Sequence, residues 1–290
     1  MGGRKDTKLL SRFPSVLLRL AGKLPLPLLH ALGTALGWAI YGISPTYRRN
    51  LRANLEQAGY TDRRIRHDAI AAAGKMLAEL PALWFRPHAQ VAALVREAEG
   101  VEEAFAAHAQ GKSLLFLTPH MGSFEVTSQY AASHMPITVL YRPPKLSWLE
   151  PLMLEGRSRP NVRLVPADVS GVRAIFRALK EGEAVGFLPD QVPGDGEGEW
   201  ADFFGRPAYT MTLAAKLAER EGVMCFLAFG RRLPRGRGYS LVLRRLPRAL
   251  PGERPTRHLN RALEDLVREC PGQYLWSYNR YKIPKGARPV

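Results

Sequence analysis

The spacing of hydrophobic and polar positions changes about a third of the way along the chain. Between residues 50 and 110, apolar residues recur every three or four positions among many alanines, a spacing typical of amphipathic helices. From residue 113 onward, short apolar runs alternate with helical segments, and these runs predict buried strands. The predicted strands are 113–119, 137–143, 162–166, 184–190, 223–229 and 239–246, and the predicted helices are 170–182, 210–222 and 254–270.

The order of these segments predicts the fold class. Strands that alternate with helices favour an α/β sandwich, with a mixed, largely parallel sheet flanked by helices. The last two strands are separated by the turn sequence LPRGRG, so we expect them to be antiparallel. We predict one large domain over residues 51–290, with a helical lead-in to about residue 100 and an α/β core from 100 to 290.

The first fifty residues have a different character. Leu24–Ile43 contains no formally charged residue, and basic residues precede and follow it. Twenty apolar residues can just span a bilayer core, but Pro25 and Pro27 weaken the start of a spanning helix. Basic residues on both flanks suit an interfacial helix better. We therefore predict a helical membrane anchor over residues 1–50, with a single span and a buried helical hairpin as the alternatives.

The net charge of +16 indicates an anionic partner, such as nucleic acid, a membrane surface or a phosphorylated substrate. Nucleic acid is the weakest of the three, because the sequence has no zinc, helix-turn-helix or RNA-binding signature and its arginines are not interleaved with stacking aromatic residues. Cys225 and Cys270 lie far apart without a CxxC motif, which predicts neither a metal site nor a disulfide framework.

The stretch TPHMGSFEV, residues 118–126, follows a predicted buried strand. It places His120 in the loop after the strand and Glu125 in the first turn of the next helix, where the carboxylate could fold back onto the imidazole. A histidine held in this way acts as a general base, for example on a hydroxyl that attacks an acyl carbonyl. The alternative is that the helix dipole alone favours a glutamate at this position.

Six segments, in the same order along the chain, resemble the lipid A late acyltransferases, a family within the lysophospholipid acyltransferase superfamily. HMGSFE, residues 120–125, resembles the histidine–glutamate box of that family. The other matching segments are YRPPK (141–145), EGRSR (155–159), FLPDQ (187–191), FFGRPAYT (203–210) and QYLWSYNRYK (273–282). The resemblance covers nearly the whole chain.

Two departures from the family pattern leave the implied reaction class unchanged. The family often has Asn-Trp where this chain has Ser123-Phe124, and it usually has a histidine where residues 277–279 precede the final Arg-Tyr-Lys. Phosphatidate-forming relatives usually carry HxxxxD and an E-G-T-R box, whereas this chain has Glu125 and, at the comparable place, residues 190–191. The resemblance therefore argues against glycerophosphate as the acceptor.

The resemblance implies transfer of a fatty acyl chain from acyl carrier protein to a hydroxyl of an anionic lipid A precursor. It also implies a site at the cytoplasmic face of the bacterial inner membrane, contact with the membrane surface, and no cofactor or metal. A different lipid acceptor stays open, such as a mannosylated inositol lipid or an amino-acid lipid, because the same boxes would serve it.

The resemblance also assigns roles. His120 is the expected general base and Glu125 its orienting partner. Arg157 is expected to hold a phosphate or stabilise the thioester oxyanion, and Asp190 to position the acceptor or brace the imidazole. The other expected substrate-binding residues are Arg142, Arg159 and Gln191, together with Phe203, Phe204 and Gly205 as a lining of the acyl or acceptor groove.

Each of these roles has a structural alternative. Arg157 would otherwise be a surface arginine, Asp190 a turn carboxylate, and Phe203 and Phe204 a packed loop anchor. We also expect an arginine-rich cluster between residues 231 and 248 to meet either the phosphorylated lipid or the acidic carrier protein. Its alternative is a solvated hairpin face.

Overall fold

A computed structural model describes residues 14–194 and 196–287 of the 290-residue chain. Most of the described residues up to 92 are helical. The basic residues Arg4, Lys5, Lys8 and Arg12 of the predicted N-terminal flank lie outside the described residues. The helices ahead of the sheet are α1 (14–21), α2 (Leu26–Ile43), α3 (Pro45–Gln57), α4 (Arg63–Ala78), α5 (Leu80–Phe85) and α6 (His88–Ala92).

Helix α2 packs on α4 through glycines. A Cβ atom on Gly74 would lie 1.9 Å from the carbonyl oxygen of Gly33, and one on Gly37 would lie 2.2 Å from the carbonyl oxygen of Ile70. Only glycine allows the two backbones to approach so closely. The other face of α2 carries exposed leucines at intervals of four residues, at Leu28, Leu32 and Leu36. Helix α2 therefore has one face held by the protein and one apolar face left open.

A seven-stranded sheet forms the centre of the fold. Its strands are β1 (Val95–Glu99), β2 (Ser113–Leu117), β3 (Ile137–Tyr141), β4 (Val162–Pro166), β5 (Ala184–Phe187), β8 (Val223–Arg232) and β9 (Tyr239–Arg245). They lie in the order β1-β9-β8-β2-β5-β3-β4. Strands β8 and β9 are antiparallel, and all other neighbours are parallel. The predicted fold class is confirmed, and so is the antiparallel pairing of the last two strands.

Helices cover both faces of this sheet. They are α7 (Val101–Ala109), α8 (Phe124–Ala132), α9 (Glu150–Arg157), α10 (Val169–Lys180), α11 (Thr212–Ala218) and α12 (Pro255–Glu269). Alternate residues of β2 point to opposite faces: Leu115 and Leu117 join a core with α10, α11 and α12, whereas Leu114 and Phe116 join a core with α7 and α8. The sheet is buried on both sides, which explains its nearly continuous apolar strands.

Two elements differ from the sequence-based expectation. Residues 95–99, predicted to belong to the helical lead-in, form the edge strand β1 beside β9. Residues 198–211 form a separate hairpin of β6 (Gly198–Phe203) and β7 (Arg206–Met211), so that the next helix begins at Thr212 rather than Thr210. The hairpin turns at Phe204 and Gly205, whose φ angles of 49° and 72° are those of a two-residue turn that suits the strand twist.

Candidate active site

The parallel strands bring distant segments to one edge of the sheet. Strands β2 and β5 are neighbours, with Leu117 paired to Phe187. His120 follows the end of β2, and Asp190 follows the end of β5 by the same number of residues. Arg142 comes directly after β3, on the other side of β5. The carboxyl edge of a parallel sheet is where ligands bind in α/β folds, so this edge is the candidate active site.

Asp190 holds His120 at two points. One carboxylate oxygen lies 2.8 Å from the imidazole Nδ1, and the other accepts the backbone N–H of His120 at 2.9 Å. Burial by itself raises the pKa of Asp190, but the charge and hydrogen bonds of His120 and the charge of Arg280 outweigh it and hold that pKa below its usual range. An ionised Asp190 only accepts, so the imidazole carries its proton on Nδ1.

In the neutral form of the imidazole, the second nitrogen is then a lone-pair acceptor. The side-chain amide nitrogen of Gln191 lies 3.1 Å from Nε2 and donates to it. His120 and Gln191 both line an open cleft of about 290 Å³, together with Arg142 and Arg157. A substrate hydroxyl that enters this cleft meets a nitrogen able to take its proton.

The backbone around His120 is held from behind by the C-terminal segment. The carbonyl oxygen of His120 accepts the N–H of Leu275 at 2.9 Å, and the N–H of Gly122 donates to the carbonyl of Gln273 at 2.9 Å. Gly122 has a φ of 55°, and a Cβ atom there would lie 2.2 Å from the carbonyl oxygen of Gly230. The loop needs glycine at this position for both reasons.

Glu125 has different partners from those predicted. Its two oxygens accept the Nε and Nη2 of Arg157, each at 2.8 Å, and the indole N–H of Trp84 at 3.0 Å. Both nitrogens of His120 are meanwhile engaged by Asp190 and Gln191. The prediction that Glu125 orients the imidazole is wrong for this structure, because the carboxylate points from the first turn of α8 toward α9. Asp190 contacts the imidazole instead, and bracing the imidazole was one of its two expected roles.

Arg157 is fixed by this pair. Burial lowers the pKa of its guanidinium, but the charge and hydrogen bonds of Glu125 more than offset this and raise it. The arginine lines the cleft on one side and a buried apolar cavity on the other. The structure thus places its cation at the boundary of the two spaces and rules out the alternative of a surface arginine.

Arg159 is a structural residue in this geometry. Its Nη2 donates to the carbonyl oxygens of Leu83 and Trp84 at 2.9 and 2.8 Å, and its Nε donates to the side chain of Gln129 at 3.0 Å. These bonds tie the end of α9 to α5 and α8. The prediction that Arg159 contacts substrate is corrected here. Its Nε and Nη2 bond within the protein, and the residue does not line the cleft.

Phe203, Phe204 and Gly205 also lie away from the cleft lining. Phe203 and Phe204 are buried in the core that contains Tyr274 and Trp276, and Gly205 completes the hairpin turn. The side chain of Glu264 accepts the N–H of Phe204 at 2.9 Å. The prediction that these residues line a substrate groove is therefore corrected: they anchor the β6–β7 hairpin.

The structure adds Arg280, a residue that the sequence shows only as one member of a matching segment. It is buried and donates to the carbonyl oxygen of Tyr209 at 2.7 Å and to the hydroxyl of Thr210 at 2.8 Å. Its guanidinium carbon lies 5.3 Å from the ring centre of Phe203, and its charge helps to lower the pKa of Asp190. The available signal was an arginine, one of two charged residues in the aromatic-rich segment QYLWSYNRYK.

A second cavity, of about 50 Å³, lies between the sheet and helices α7 and α8. It is mainly apolar, and it crosses the sheet from β3 to β9. Its lining includes Phe105, Phe116, Tyr130, Ile137, Val139, Gly186, Ala228, Leu241 and Leu243. The walls shared with the cleft are Phe124, Leu140, Arg157, Phe187 and Leu188. An apolar space therefore adjoins the polar groups of His120 and Arg157.

The arginine-rich cluster of β8 and β9 is largely paired within the protein. Arg244 bonds to Glu269 and Glu99, Arg245 to Glu103, and Arg232 to Glu79. The Arg232 pair is buried, whereas the exposed pairs of Arg244 and Arg245 contribute little stability. Each pair neutralises charge that an anionic partner would otherwise meet. The geometry favours the alternative of a solvated hairpin face. Arg142, which lines the cleft, is exposed instead, as is Lys145 three residues later.

Two properties of the described residues concern membrane and metal binding. Among these residues, α2 is the one helix long and apolar enough to cross a membrane. In the same part of the chain, no three histidine, cysteine or carboxylate side chains are grouped so as to hold a metal ion. Helix α2 is thus the described segment best suited by length and composition to meet a lipid bilayer.

Comparisons with known proteins agree on one family. The family model described as "Bacterial lipid A biosynthesis acyltransferase" matches residues 10–283. The "Lipid A biosynthesis lauroyltransferase" of Escherichia coli (strain K12) is 26% identical over 278 residues, covering 91% of this chain and 89% of that protein. The "Lipid A biosynthesis palmitoleoyltransferase" of the same strain is 27% identical over 276 residues, covering 92% and 88%. The "Lipid A biosynthesis acyltransferase" of Shigella flexneri has the same identity and coverage.

Proposed function

Since the chain belongs to the bacterial lipid A biosynthesis acyltransferase family and is therefore an acyltransferase, we propose that it moves a fatty acyl chain from acyl carrier protein to a hydroxyl of a lipid A precursor. The observation that carries the proposal is the state of His120. Its Nδ1 is held by Asp190, and its Nε2 faces the cleft as an acceptor, next to an apolar cavity.

His120 is the proposed general base. Its Nε2 takes the proton of the acceptor hydroxyl while the hydroxyl oxygen attacks the carbonyl carbon of the thioester. The tetrahedral intermediate then collapses, the carbon–sulfur bond breaks, and the thiolate takes the proton back from the imidazolium. Asp190 keeps the imidazole in the required tautomer and stabilises the transient positive charge. General-base catalysis of this kind contributes roughly 10²–10⁴-fold to the rate.

Arg157 is the proposed electrostatic partner of this step. It borders both the cleft and the apolar cavity, which is where the thioester carbonyl would lie if the acyl tail entered the cavity. Glu125 fixes its position before substrate arrives, and Trp84 in turn donates to Glu125. A cation already in place stabilises a developing oxyanion without reorganisation during the reaction. Glu125 is thus a positioning residue for Arg157.

The apolar cavity is the proposed acyl subsite. Its walls come from α7, α8 and five neighbouring strands of the sheet, and they are mainly apolar. Gly186 lies in the wall, and a Cβ atom there would crowd Ile137 at 3.3 Å, so the wall carries no side chain at this position. Burial of a hydrocarbon tail yields about 0.8 kcal/mol per methylene group, which is the force that would draw the chain in.

The proposed acceptor is an anionic lipid presented at the cytoplasmic face of the bacterial inner membrane. Exposed Arg142 in the cleft lining and exposed Lys145 close to it in sequence suit its phosphates. Residues 1–50 are the proposed membrane-associating segment, and residues 51–290 the proposed acyltransferase domain. The exposed leucine face of α2 supports contact with lipid, and its glycine face against α4 supports a helix lying on the membrane rather than across it.

A second acceptor class, a mannosylated inositol lipid or an amino-acid lipid, would use the same base and the same acyl cavity. The basic residues distinguish the two acceptor classes only through their positive charge. The exposed cations Arg142 and Lys145 favour an acceptor with several phosphates.

The test is an acyl-transfer assay on the full chain in detergent. Lauroyl- and myristoyl-acyl carrier protein are offered with a tetra-acylated lipid A precursor, with and without inner-core sugars, and mass spectrometry reads the product. We expect one added acyl chain with the wild type and none with His120→Ala. His134→Ala, at an exposed histidine just beyond the end of α8, serves as the matched control and should keep full activity.

Each other outcome has a definite meaning. Retained activity in folded His120→Ala would overturn the assignment of the base. No transfer from folded wild type with any donor and this acceptor, but transfer to a mannosylated inositol lipid or an amino-acid lipid, would replace the acceptor and keep the chemistry.

A further inference from the structure

A buried charge cluster lies behind the His120 loop, outside the lining of the catalytic cleft. It is formed by Glu79 at the junction of α4 and α5, Arg232 at the end of β8, His30 in α2 and Tyr239 in β9. All four side chains are almost completely buried. Buried charges are costly unless they are paired and hydrogen-bonded, so a cluster of this kind needs an explanation.

Glu79 is the centre of the cluster. Its Oε1 accepts Arg232 Nη2 at 2.7 Å, and its Oε2 accepts Arg232 Nε at 2.9 Å and the Tyr239 hydroxyl at 3.1 Å. Burial by itself raises the pKa of Glu79, but the charge of Arg232 and the bonds from Arg232 and His30 outweigh it and lower the pKa to about 2. Glu79 is therefore ionised and accepts every bond made to it.

Arg232 connects this centre to the catalytic loop. The same Nη2 that binds Glu79 also donates to the carbonyl oxygen of Gly122 at 2.7 Å. The side chain of Gln273 bonds to the backbone of Arg232 on both sides, at 2.9 and 3.2 Å, and the backbone of Gln273 accepts the Gly122 N–H. The residue two positions after His120 is thus clamped at both its N–H and its C=O.

His30 connects the same centre to α2. Its Nε2 lies 3.1 Å from Glu79 Oε2, and because that oxygen only accepts, Nε2 carries the proton. Helix α2 is the one with the exposed leucine face. A continuous path of hydrogen bonds therefore runs from α2 through Glu79 and Arg232 to the loop that carries His120.

We propose that Glu79 and Arg232 are positioning residues for the acyl-transfer reaction, and that His30 makes the position of the His120 loop depend on the seating of α2. The inference rests on the proposed function, since it takes His120 as the base. A loop that shifts by about 1 Å can lose on the order of 10²-fold in rate, so a clamp on the Gly122 carbonyl acts on turnover and not only on folding.

The competing explanation is a purely structural ion pair, and the chain offers a matched control. Glu253 is bound by Arg261 through two bonds of 2.8 and 2.7 Å, and its pKa is also lowered to about 2, with the bond from Arg261 as the main cause. This pair follows β9 at the opposite edge of the sheet from His120, since β9 is antiparallel to β8. Glu253→Gln therefore removes an ion pair with two bonds, less buried than that of Glu79, without touching the loop.

The first experiment compares Glu79→Gln with Glu253→Gln in the full chain. Hydrogen–deuterium exchange followed by mass spectrometry reports on the peptide covering residues 118–124, and the acyl-transfer assay reports kcat and KM. We expect loop exchange to rise about tenfold or more in Glu79→Gln and to stay unchanged in Glu253→Gln. We expect kcat to fall by roughly 10–10²-fold in Glu79→Gln, with KM nearly unchanged.

The second experiment uses His30, which is less central to folding. His30→Phe removes the donor, whereas His30→Gln keeps an N–H that can reach Glu79. Loss of kcat and faster loop exchange in His30→Phe, with recovery in His30→Gln, support the path from α2 to the loop. Equal behaviour of the two variants would remove α2 from the proposal, and it would do so even if Glu79→Gln does not fold.

The readouts separate the two proposals. Unchanged exchange and unchanged kcat in folded Glu79→Gln would overturn the clamp while leaving acyl transfer in place. A wild type that transfers no acyl chain to any acceptor, but whose loop exchange still rises in Glu79→Gln, would overturn the reaction and keep the clamp.

Discussion

The cleft and the aromatic layer under the β6–β7 hairpin both draw on the family-like segments, but they place those side chains in opposite environments. Both consist of residues from the segments that resemble one family. In the cleft, His120 and Gln191 are partly exposed, and their polar atoms face each other and solvent. In the aromatic layer, made of Phe203, Phe204, Tyr274, Trp276 and Tyr281, rings pack on rings and polar atoms are directed inward.

The difference shows that a residue's place in a shared motif does not reveal whether its side chain contacts substrate or stabilises the fold. Gln191 makes a bond at Nε2 that a substrate hydroxyl can replace. Phe203, buried and stacked on the cation of Arg280, makes contacts that nothing can replace without unfolding. Substitutions in the first region should therefore change turnover, and those in the second should change stability.

The largest effect should follow Asp190→Asn. The amide favours the other tautomer of His120, with the proton on Nε2, where it blocks the base. We expect kcat to fall on the order of 10³–10⁴-fold with little change in thermal unfolding. Nitrogen-15 NMR of the imidazole would report the tautomer directly.

Glu125→Gln is the control for this prediction, because it neutralises an equally buried carboxylate that binds Arg157 instead. The imidazole spectrum should then match the wild type. A shifted imidazole in Glu125→Gln with an unshifted one in Asp190→Asn would restore Glu125 as the orienting partner.

Phe203→Ala should have the largest effect on stability. Removing a fully buried phenylalanine typically lowers the free energy of unfolding by about 3–5 kcal/mol. We expect the kcat of the remaining folded protein to stay within about twofold of wild type. Unfolding curves and active-fraction measurements check this, with exposed Phe176→Ala as the control. A change in acyl-chain preference would return Phe203 to the substrate groove.

Gln191→Ala should have a smaller effect than Asp190→Asn. A single hydrogen bond is worth about 0.5–1.5 kcal/mol, so kcat/KM should fall by less than about tenfold. Gln191→Glu should be worse than Gln191→Ala, because a carboxylate beside Nε2 favours the protonated imidazole. Steady-state kinetics test these expectations. A loss of kcat/KM in Gln191→Ala as large as that in His120→Ala would place Gln191 among the catalytic residues.

The smallest effect should come from Arg245→Ala, which breaks an exposed pair with Glu103. We expect transfer rates within about twofold of wild type, since such pairs contribute about 0–1 kcal/mol. Arg142→Ala at the cleft rim should instead raise the KM for a phosphorylated acceptor by about fivefold. The reverse order of the two arginines would move the anionic substrate to the β8–β9 face.

Much of the fold could be predicted because buried parallel strands are short, apolar and bounded by turns. The strands around His120 and Asp190 follow this pattern. Strand β1 does not, because its sequence VREAE is polar and its pairing to β9 at the sheet edge leaves it half-exposed. The β6–β7 hairpin was missed since its turn uses Phe204, a residue that rarely adopts a positive φ.

The candidate site could be predicted less completely than the fold. His120 could be identified from the strand and loop before it. Its partner could not, because Glu125 is near in sequence whereas Asp190 is near only through the pairing of β2 with β5. Sequence spacing measures distance along one element. It carries no information about which strand lies alongside.

The bonds from residues 273–275 to the His120 loop have a consequence for the timing of biosynthesis. On a ribosome that adds ~5–20 residues per second, the C-terminal segment emerges roughly 10–30 s after His120 does. Until then the N–H of Gly122 lacks its acceptor, the carbonyl of Gln273, and the carbonyl of His120 lacks its donor, the N–H of Leu275. The nascent chain would therefore remain inactive through this interval and gain activity only once its last segment has folded back onto the sheet edge.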